Sequence, residues 1–434
     1  MSARRSRWQE PVAIGEDQQN INNVSLYQEL QPMLENDQTT PTPPYSGSFL
    51  SGPTLYLRGL ELGDAASIAS WYPSPFPAPN DVAEERLKED VPGSAHRGTY
   101  RLIACRHNDD RPMGSVEFTA DDGLTGWLSV HAAPLLGPDA GEVRAELLEI
   151  MVPWLQTEKD LVAIWVELAK GDTLAESAAV SLGMRFAYRF REGCLFNGRR
   201  TDLVCYEALH PKWIVRFGLP ALTPEGEPII SPKYPTPRTW SGFAGTPPKN
   251  AISVGNRLYL RPIEQSDAEE IARWSVRESE RSHDLSRHIR SPISDWIWNR
   301  RNAADDGQSW VRFSIVTIED DIVIGSMGLA DLDWISSSAE SEIVISRPDY
   351  RGAGFGTESK HLLLEYAFDR LGLNMIKSYV WKFNQRSAAA LANQGYRQAG
   401  GLSWTGMKDA EFVDDLAFDL LADEWREHRR IGSN

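Results

Sequence analysis

In the C-terminal half of the chain, apolar residues recur first at every second position and then at every third or fourth, and this switching predicts an ordered series of strands and helices. "RLYLRPI" (257–263) alternates as a strand, and "QSDAEEIARWS" (265–275) starts a helix at Ser266 or Asp267 with carboxylates in its first turn. "WVRFSIVTIEDDIVIGSMGLADLDW" (310–334) reads as two β-branched strands joined at a Glu-Asp-Asp turn. "AESEIVISRPDY" (339–350) is a further strand that Pro348 stops. In "TESKHLLLEYAFDRLGL", Leu364, Phe368 and Leu371 fall on one helical stripe that ends near Gly372. "NMIKSYVWKFN" is a strand, and "QRSAAALANQG" is a short helix capped by Asn384 and stopped at Gly395. Two more strands close the block.

The same pattern occurs earlier in the chain. "LYLRGLELGDAASIASWY" (55–72) and "LYLRPIEQSDAEEIARWS" (258–275) share Leu-Tyr-Leu-Arg, Asp-Ala, Ile-Ala and Trp in register, with Arg58 and Arg261 203 positions apart. "PMGSVEF" (112–118) is echoed by "VIGSMGL" (323–329), "SLGMRF" (181–186) by "NQGYRQ" (393–398), and "TDLVCYEAL" (201–209) by "DDLAFDLLA" (414–422). Two copies of one unit are expected, at 51–217 and 251–434. The remaining stretches lack periodicity. Residues 1–50 are polar apart from Val24, Leu30, Met33 and Leu34, which suit a short docking helix, and 218–250 is a proline-rich linker.

Composition narrows the candidates. With 434 residues, 41% hydrophobic and 24% charged, the chain is ordinary globular material. A net charge of −16 disfavours nucleic acid and anionic membranes as partners, and suits a cationic one. Cys105, Cys194 and Cys205 are too few and too scattered for a disulfide framework or a zinc site, so no metal and a cytoplasmic location are expected. No stretch approaches the roughly 20 apolar residues of a membrane span.

The sharpest local signal is "RGAGFGT" (351–357), with glycines at every second position directly before a helix. Glycine permits positive φ and close approach, so amides from Gly352 to Thr357 can converge on an anion at the helix start. The Gly-Lys-Ser/Thr of a nucleotide-binding loop, dinucleotide-fold spacing and kinase signatures are all absent.

On these residues the second block resembles the GNAT superfamily of acyl-CoA-dependent N-acyltransferases across 256–430, and within it the branch of ribosomal-protein N-terminal acetyltransferases. Arg351, Gly352, Ala353, Gly354, Phe355 and Gly356 match the family's acyl-CoA loop, and "TESKHLLLEYAF", "NQRS" and "NQGYRQAG" are similar to that branch's following elements. The resemblance implies two tandem α/β (α+β) domains, each a mixed, mostly antiparallel sheet flanked by helices. It also implies acetyl-CoA as cosubstrate and a primary amine, on a small molecule or a protein N-terminus, as acceptor. A longer acyl chain, or a noncatalytic acyl-CoA sensor, stays open. By the same resemblance, backbone amides of Val344, Ile345 and Ser346 bind the acyl and pantetheine groups, and Asn384 contacts CoA.

An α-amine of pKa near ~8 is about a tenth deprotonated at pH 7, so a weak base suffices. Glu342 corresponds to the family's strand carboxylate and is the candidate base, with a solvated strand residue as the alternative. Ser387 is the first candidate to protonate the departing sulfur and Tyr396 the second, although a capping role fits Asn384 and Ser387 equally well. In the first block "LLGPDAGEVRAELL" (135–148) replaces the loop: the Arg is missing, Pro138 lacks an amide, and Asp139 and Glu142 oppose phosphate. Asp172 falls where Asn384 does, and His131 reads as structural. This copy is expected not to bind CoA, which leaves a monomer with an internal pseudo-dimer, or a homodimer. His283, Asp284 and His288 form a weak metal-like pattern. Trp296, Trp298, Trp310, Trp334 and Trp404, with Asp284, Asp409 and Glu411, are candidates to shape an acceptor pocket.

Overall fold

Alternating side chains let each strand bury one row and hydrogen-bond sideways, and here this extends into one continuous sheet. The computed structural model describes residues 47–72, 78–85, 87–88, 99–121, 124–228, 248–277, 293 and 309–431, all within one unit spanning 45–434. The first eight strands are β1 (Leu50–Ser51), β2 (Leu55–Arg58), β3 (Thr99–Arg106), β4 (Pro112–Asp121), β5 (Thr125–Ala132), β6 (Ala163–Ala169), β7 (Arg185–Phe196) and β8 (Arg199–Leu209). The second eight are β9 (Ser253–Val254), β10 (Leu258–Pro262), β11 (Val311–Thr317), β12 (Val323–Asp333), β13 (Ser338–Ile345), β14 (Met375–Trp381), β15 (Arg397–Lys408) and β16 (Glu411–Leu421). The helices used below are α1 (Ala140–Thr157), α2 (Thr173–Ser181), α3 (Pro211–Phe217), α4 (Gln265–Arg277), α5 (Phe355–Glu365), α6 (Gln385–Asn393) and α7 (Ala422–Ile431).

The sheet order is β1-β2-β3-β4-β5-β6-β8-β7-β15-β16-β14-β13-β12-β11-β10-β9. Every neighbouring pair is antiparallel except β5–β6 and β13–β14. This is the mixed, mostly antiparallel sheet with flanking helices that the family resemblance implies, here continuous across both halves. The order reads the same outward from the β7–β15 junction in both directions, and the elements keep step: β6 starts at Ala163 and β14 at Met375, α2 at Thr173 and α6 at Gln385, β7 at Arg185 and β15 at Arg397.

Each half opens with the same lock. Arg58 Nη2 donates to Asp64 Oδ1 (2.7 Å), and Asp64 Oδ2 accepts from the Glu61 amide (2.7 Å). In the second half Arg261 Nη2 donates to Asp267 Oδ1 (2.8 Å), and Asp267 Oδ2 accepts from the Glu264 amide (2.9 Å). The carboxylate reaching back to this amide explains why α4 starts at Gln265, slightly before the expected residue. The stripe of α5 is buried as predicted at Leu364 and Phe368. Its last turn widens, with the Leu371 amide bonding Tyr366 O, five residues back.

Where the halves meet, apolar and ionic contacts combine. Tyr188, Phe190, Trp165, Met375, Leu402, Trp404 and Ala417 share one buried cluster, and burying each large side chain stabilises by roughly 1.5–3 kcal/mol. Gly400 stands opposite Tyr188, and a Cβ there would lie 2.4 Å from Ala187 O, so only glycine allows this approach. Two matching carboxylates flank that point. Glu207 pairs with Arg185 of its own half (2.7 Å) and accepts the Ser403 amide of the other (2.8 Å); Asp419 pairs with Arg397 (2.7 Å) and accepts the Arg191 amide (3.0 Å). The first residues of the proline-rich stretch fasten across the same line: Glu225 binds Arg189 and Arg397 (both 2.7 Å), and the Gly226 amide bonds Gln398 O (2.8 Å).

Candidate active site

β13 and β14 pair only over Ser338–Glu340 with Met375–Lys377, although β13 continues to Ile345 and β14 to Trp381. Beyond Glu340 the strands part, and the inner edge of β13 has no strand partner. On its outer edge β13 stays paired to β12 through Ile345, and the Ser346 amide bonds Ile324 O (2.9 Å). Because antiparallel partners alternate between exchanging and non-exchanging pairs, the Val344 amide also belongs to β12, while those of Ile343 and Ile345 face the gap. Of the three amides expected to meet the ligand, that of Ile345 therefore faces the gap, as that of Ile343 does, and those of Val344 and Ser346 bond into the sheet.

The glycine loop closes one end of this gap. Gly352 (φ 80°) and Gly354 (φ 86°) alternate with Ala353, and Gly354 caps α5. The first hydrogen bond within the helix runs from the Glu358 amide to Gly354 O (3.1 Å), so the amides of Phe355, Gly356 and Thr357 have no helical partner. Among the described residues none accepts from any amide between Gly352 and Thr357. Arg351 braces the loop instead of projecting from it: its Nε donates to Ile345 O (2.8 Å) and its Nη2 to Ser346 O (3.3 Å). Glu358 points away from the amides. Its Oε1 accepts from the amides of Asn256 (2.6 Å) and Arg257 (2.8 Å), and its Oε2 from Arg257 Nε (2.9 Å). Arg257 also donates to Ala353 O (2.8 Å) and lies 4.2 Å over the Phe355 ring. It is a loop-side cation that no motif had singled out.

The candidate proton-handling groups stand in different surroundings. Glu342 is ion-paired to Arg312 Nη2 at 2.7 Å. Gly328 lies between them in register, so no side chain keeps them apart. Glu340, two residues earlier on the same face, stands at the last β13–β14 pair, where burial pushes its carboxyl up to about 8. Asn384 Oδ1 accepts from the Ser387 amide (3.2 Å) in the predicted cap, and Ser387 is half-buried in the first turn of α6. Tyr396 is 0% exposed and its hydroxyl lies 3.1 Å from Ser341 Oγ, so its place is in the core under the sheet. Burial raises its ionisation well above the ordinary phenol range.

The first half carries the same parting and none of the same openings. β5 and β6 separate after Trp127 and Trp165. Glu146, like Glu358, accepts two amides at the start of its half, those of Thr54 (2.7 Å) and Leu55 (2.9 Å). Measured from these glutamates, α5 begins three residues before at Phe355, whereas α1 begins six residues before at Ala140. The extra turn of helix occupies the loop's place and takes up its amides. Asp172, in the position of Asn384, forms no cap bond to its helix and pairs with Arg144 across the gap.

Of the residues singled out for a metal or an acceptor, His283, Asp284, His288, Trp296 and Trp298 lie outside the described residues. Trp310 and Trp334 are half-buried, and Trp404 is in the junction cluster, stacked on Phe412 at 5.0 Å. Asp409 and Glu411 sit at the β15–β16 turn. Among the described residues no group of three or more His, Cys, Asp or Glu could hold a metal, and no helix is long and apolar enough to cross a membrane.

A parted pair of parallel strands with a ring of unaccepted amides at a helix start is a receptacle for an extended ligand bearing an anionic group. Comparison with known proteins agrees on the class. Residues 257–397 match the model of the acetyltransferase (GNAT) domain. The chain is 30% identical over 171 residues to the uncharacterized N-acetyltransferase p20 of Bacillus licheniformis, covering 39% of this chain and 95% of that one. A spermidine N-acetyltransferase of Vibrio cholerae, solved with CoA and spermine, is similar at 22% identity and a TM-score of 0.36, covering 39% of this chain and 98% of that one. A GNAT-family acetyltransferase of Bacillus anthracis is similar at 18% identity and a TM-score of 0.34, covering 39% and 98%. The chain belongs to the GNAT acetyltransferase family and is an enzyme of the N-acetyltransferase type.

Proposed function

We propose that the chain transfers an acetyl group from acetyl-CoA to a primary amine, on a small molecule or a protein N-terminus, by direct attack in a ternary complex. The observation that carries this reading is the set of amides from Gly352 to Thr357, which face away from every described acceptor at one end of the β13–β14 gap. A pyrophosphate on that loop receives charge-assisted bonds of roughly 1.5–3 kcal/mol each. The pantetheine arm then runs along β13, where the amides of Ile343 and Ile345 are available, and the thioester arrives near Glu340. Asn384 and Ser387 border the same gap from α6.

Glu340 replaces Glu342 as the group that accepts the amine proton. An enclosed carboxyl raised toward neutrality is the stronger base, whereas Glu342 is occupied by Arg312 at 2.7 Å. Asp331, Asp333 and Glu342 add negative charge on β12 and β13, which suits a cationic amine. The chain fits the ribosomal-protein N-terminal branch of the family and a cytoplasmic setting.

In this reading the first half is a tandem copy that has lost its CoA site and serves as an internal pseudo-dimer partner. The matching locks at Asp64 and Asp267 and the matching carboxylates Glu207 and Asp419 support it. The copies occupy 51–217 and 251–434, with an arm at 1–50 and a linker at 218–250.

Isothermal titration with CoA, followed by free-thiol detection with acetyl-CoA and a panel of amines, tests the proposal. Heat with CoA and thiol release with at least one amine are expected. The absence of CoA binding removes the reading. CoA binding without thiol release leaves a sensor, and faster turnover of long-chain CoA than of acetyl-CoA changes the acyl group.

A further inference from the structure

Lys360 has no part in the site as described, and its position is hard to explain by packing. It lies on α5, 2% exposed, and its Nζ donates to Ser341 Oγ at 2.6 Å, with Ser341 O a weak second acceptor at 3.5 Å. No carboxylate among the described residues lies within ion-pair distance of it. A lysine buried with one good hydrogen bond is poorly compensated, and an apolar residue of similar volume would be more stable there. Ser341 is the first residue of β13 beyond its last pair with β14, at the vertex of the gap. Its Oγ also lies 3.1 Å from the Tyr396 hydroxyl, and its carbonyl accepts from Ser378 Oγ at 3.2 Å. When Ser341 Oγ accepts from both Lys360 and Tyr396, its own proton points to Lys377 O on β14 at 3.4 Å, a long bond across the vertex of the gap that an incoming sulfur can displace.

We propose that Ser341 hands its proton to the departing thiolate of CoA and that Lys360 replenishes it, so that Ser341 is a catalytic residue and Lys360 a positioning residue behind it. The inference rests on the acetyl-CoA reading above. As the tetrahedral intermediate collapses, the C–S bond breaks and its electron pair goes to sulfur. The Ser341 Oγ proton moves to that sulfur, and a proton moves from Lys360 Nζ to Ser341 Oγ. The proton lost by the amine goes to Glu340. Turnover thus leaves a neutral lysine and a neutral carboxyl, and solvent restores the starting charges. Burial pushes Lys360 down to about 7 and Glu340 up to about 8, so the neutral pair that ends a turnover is the resting form and the charged pair that starts one is the minority form. The groups acting on Lys360 are Glu340 and Glu342 on β13 and the Tyr396 ring at 5.6 Å. Ser387 keeps its place beside the cofactor without serving as the acid.

The test compares wild type, Lys360→Met and Ser341→Ala with acetyl-CoA and with acetyl-seleno-CoA, whose selenol leaves without needing an acid. Wild-type kcat should rise through about 7 and fall above about 8, because a protonated Lys360 and an ionised Glu340 must coexist. Lys360→Met should lower kcat about 100-fold, lose that alkaline limb and leave the KM for acetyl-CoA unchanged. With the selenoester the defect of both variants should shrink to a few-fold, whereas a structural defect would depress both substrates alike. Melting curves check that the variants fold. Equal defects with the two substrates, or an unchanged alkaline limb in Lys360→Met, overturn the inference. A wild type that binds no CoA overturns the proposed function instead.

Discussion

The two halves share strand order, opening lock and junction carboxylates, yet among the described residues only the second carries the open glycine loop. The difference lies in about one turn of backbone. In the second half, glycines at 352 and 354 hold the chain open before α5 and leave its amides outward; in the first, α1 starts earlier and absorbs them. The side chains follow suit. Asn384 caps its helix, while Asp172 reaches across the gap to Arg144. Glu340 and Lys377 stand at the last parallel pair of one half, and Trp127 packs on Trp165 (5.3 Å) at the same point of the other. The two halves thus share the residues that hold the sheet together and differ in those that border the gap.

The comparison can be broken most severely at the junction. Asp419→Ala removes the fully buried carboxylate shared by Arg191 and Arg397, which keep only the more exposed Glu424 and Glu225, and should destabilise by about 3–5 kcal/mol. The mirrored Glu207→Gln disturbs only Arg185 and the Ser403 contacts, so a smaller loss of about 1.5–3 kcal/mol is expected. Paired denaturation curves measure both, and equal losses would show that the junction is not weighted toward the second half. At the loop, Gly354→Asp places a carboxylate at a positive φ and should weaken CoA binding at least about 100-fold, roughly 2.7 kcal/mol. Asp139→Ala should leave the isotherm unchanged. A reversed result would assign the ligand to the wrong half.

Within the active half, Glu340→Gln should reduce kcat by about 100-fold and Glu342→Gln by less than about 10-fold. The pH dependence of stability sharpens the point. Glu340 is raised from 4.5 to about 8, so the folded state retains a proton that the unfolded chain releases, and this contribution is lost as pH rises through that window. Lys360 is lowered from 10.5 to about 7, so its penalty is present at neutral pH and is relieved as pH rises toward 10.5. Lys360→Met should therefore raise the melting temperature at pH 7 and remove the gain above it. The smallest effect belongs to the closed half. Arg144→Ala should cost about 1 kcal/mol in thermal unfolding and restore no CoA binding, because the loop amides stay inside the helix.

Much of this was legible in the residues. Periodicity gave the strands and helices of the second half in order, the Asn384 cap formed as predicted, and "RGAGFGT" marked the backbone that turns outward. Register was the harder part. Glu340 and Glu342 alternate onto the same face, and nothing local tells which is enclosed; Arg312, two strands away and opposite a glycine, decides it. That the amides of Val344 and Ser346 turn into the sheet was hidden for a related reason, since the direction of an amide depends on which neighbour it pairs with. Arg257 and Lys360 carry no motif and gain meaning only where α5 packs against β10 and β13.

The junction at Gly400 has one last consequence. Because its two faces belong to a single polypeptide, they meet at an effective concentration of about millimolar however dilute the protein becomes. Specific activity should therefore not decline at low enzyme concentration.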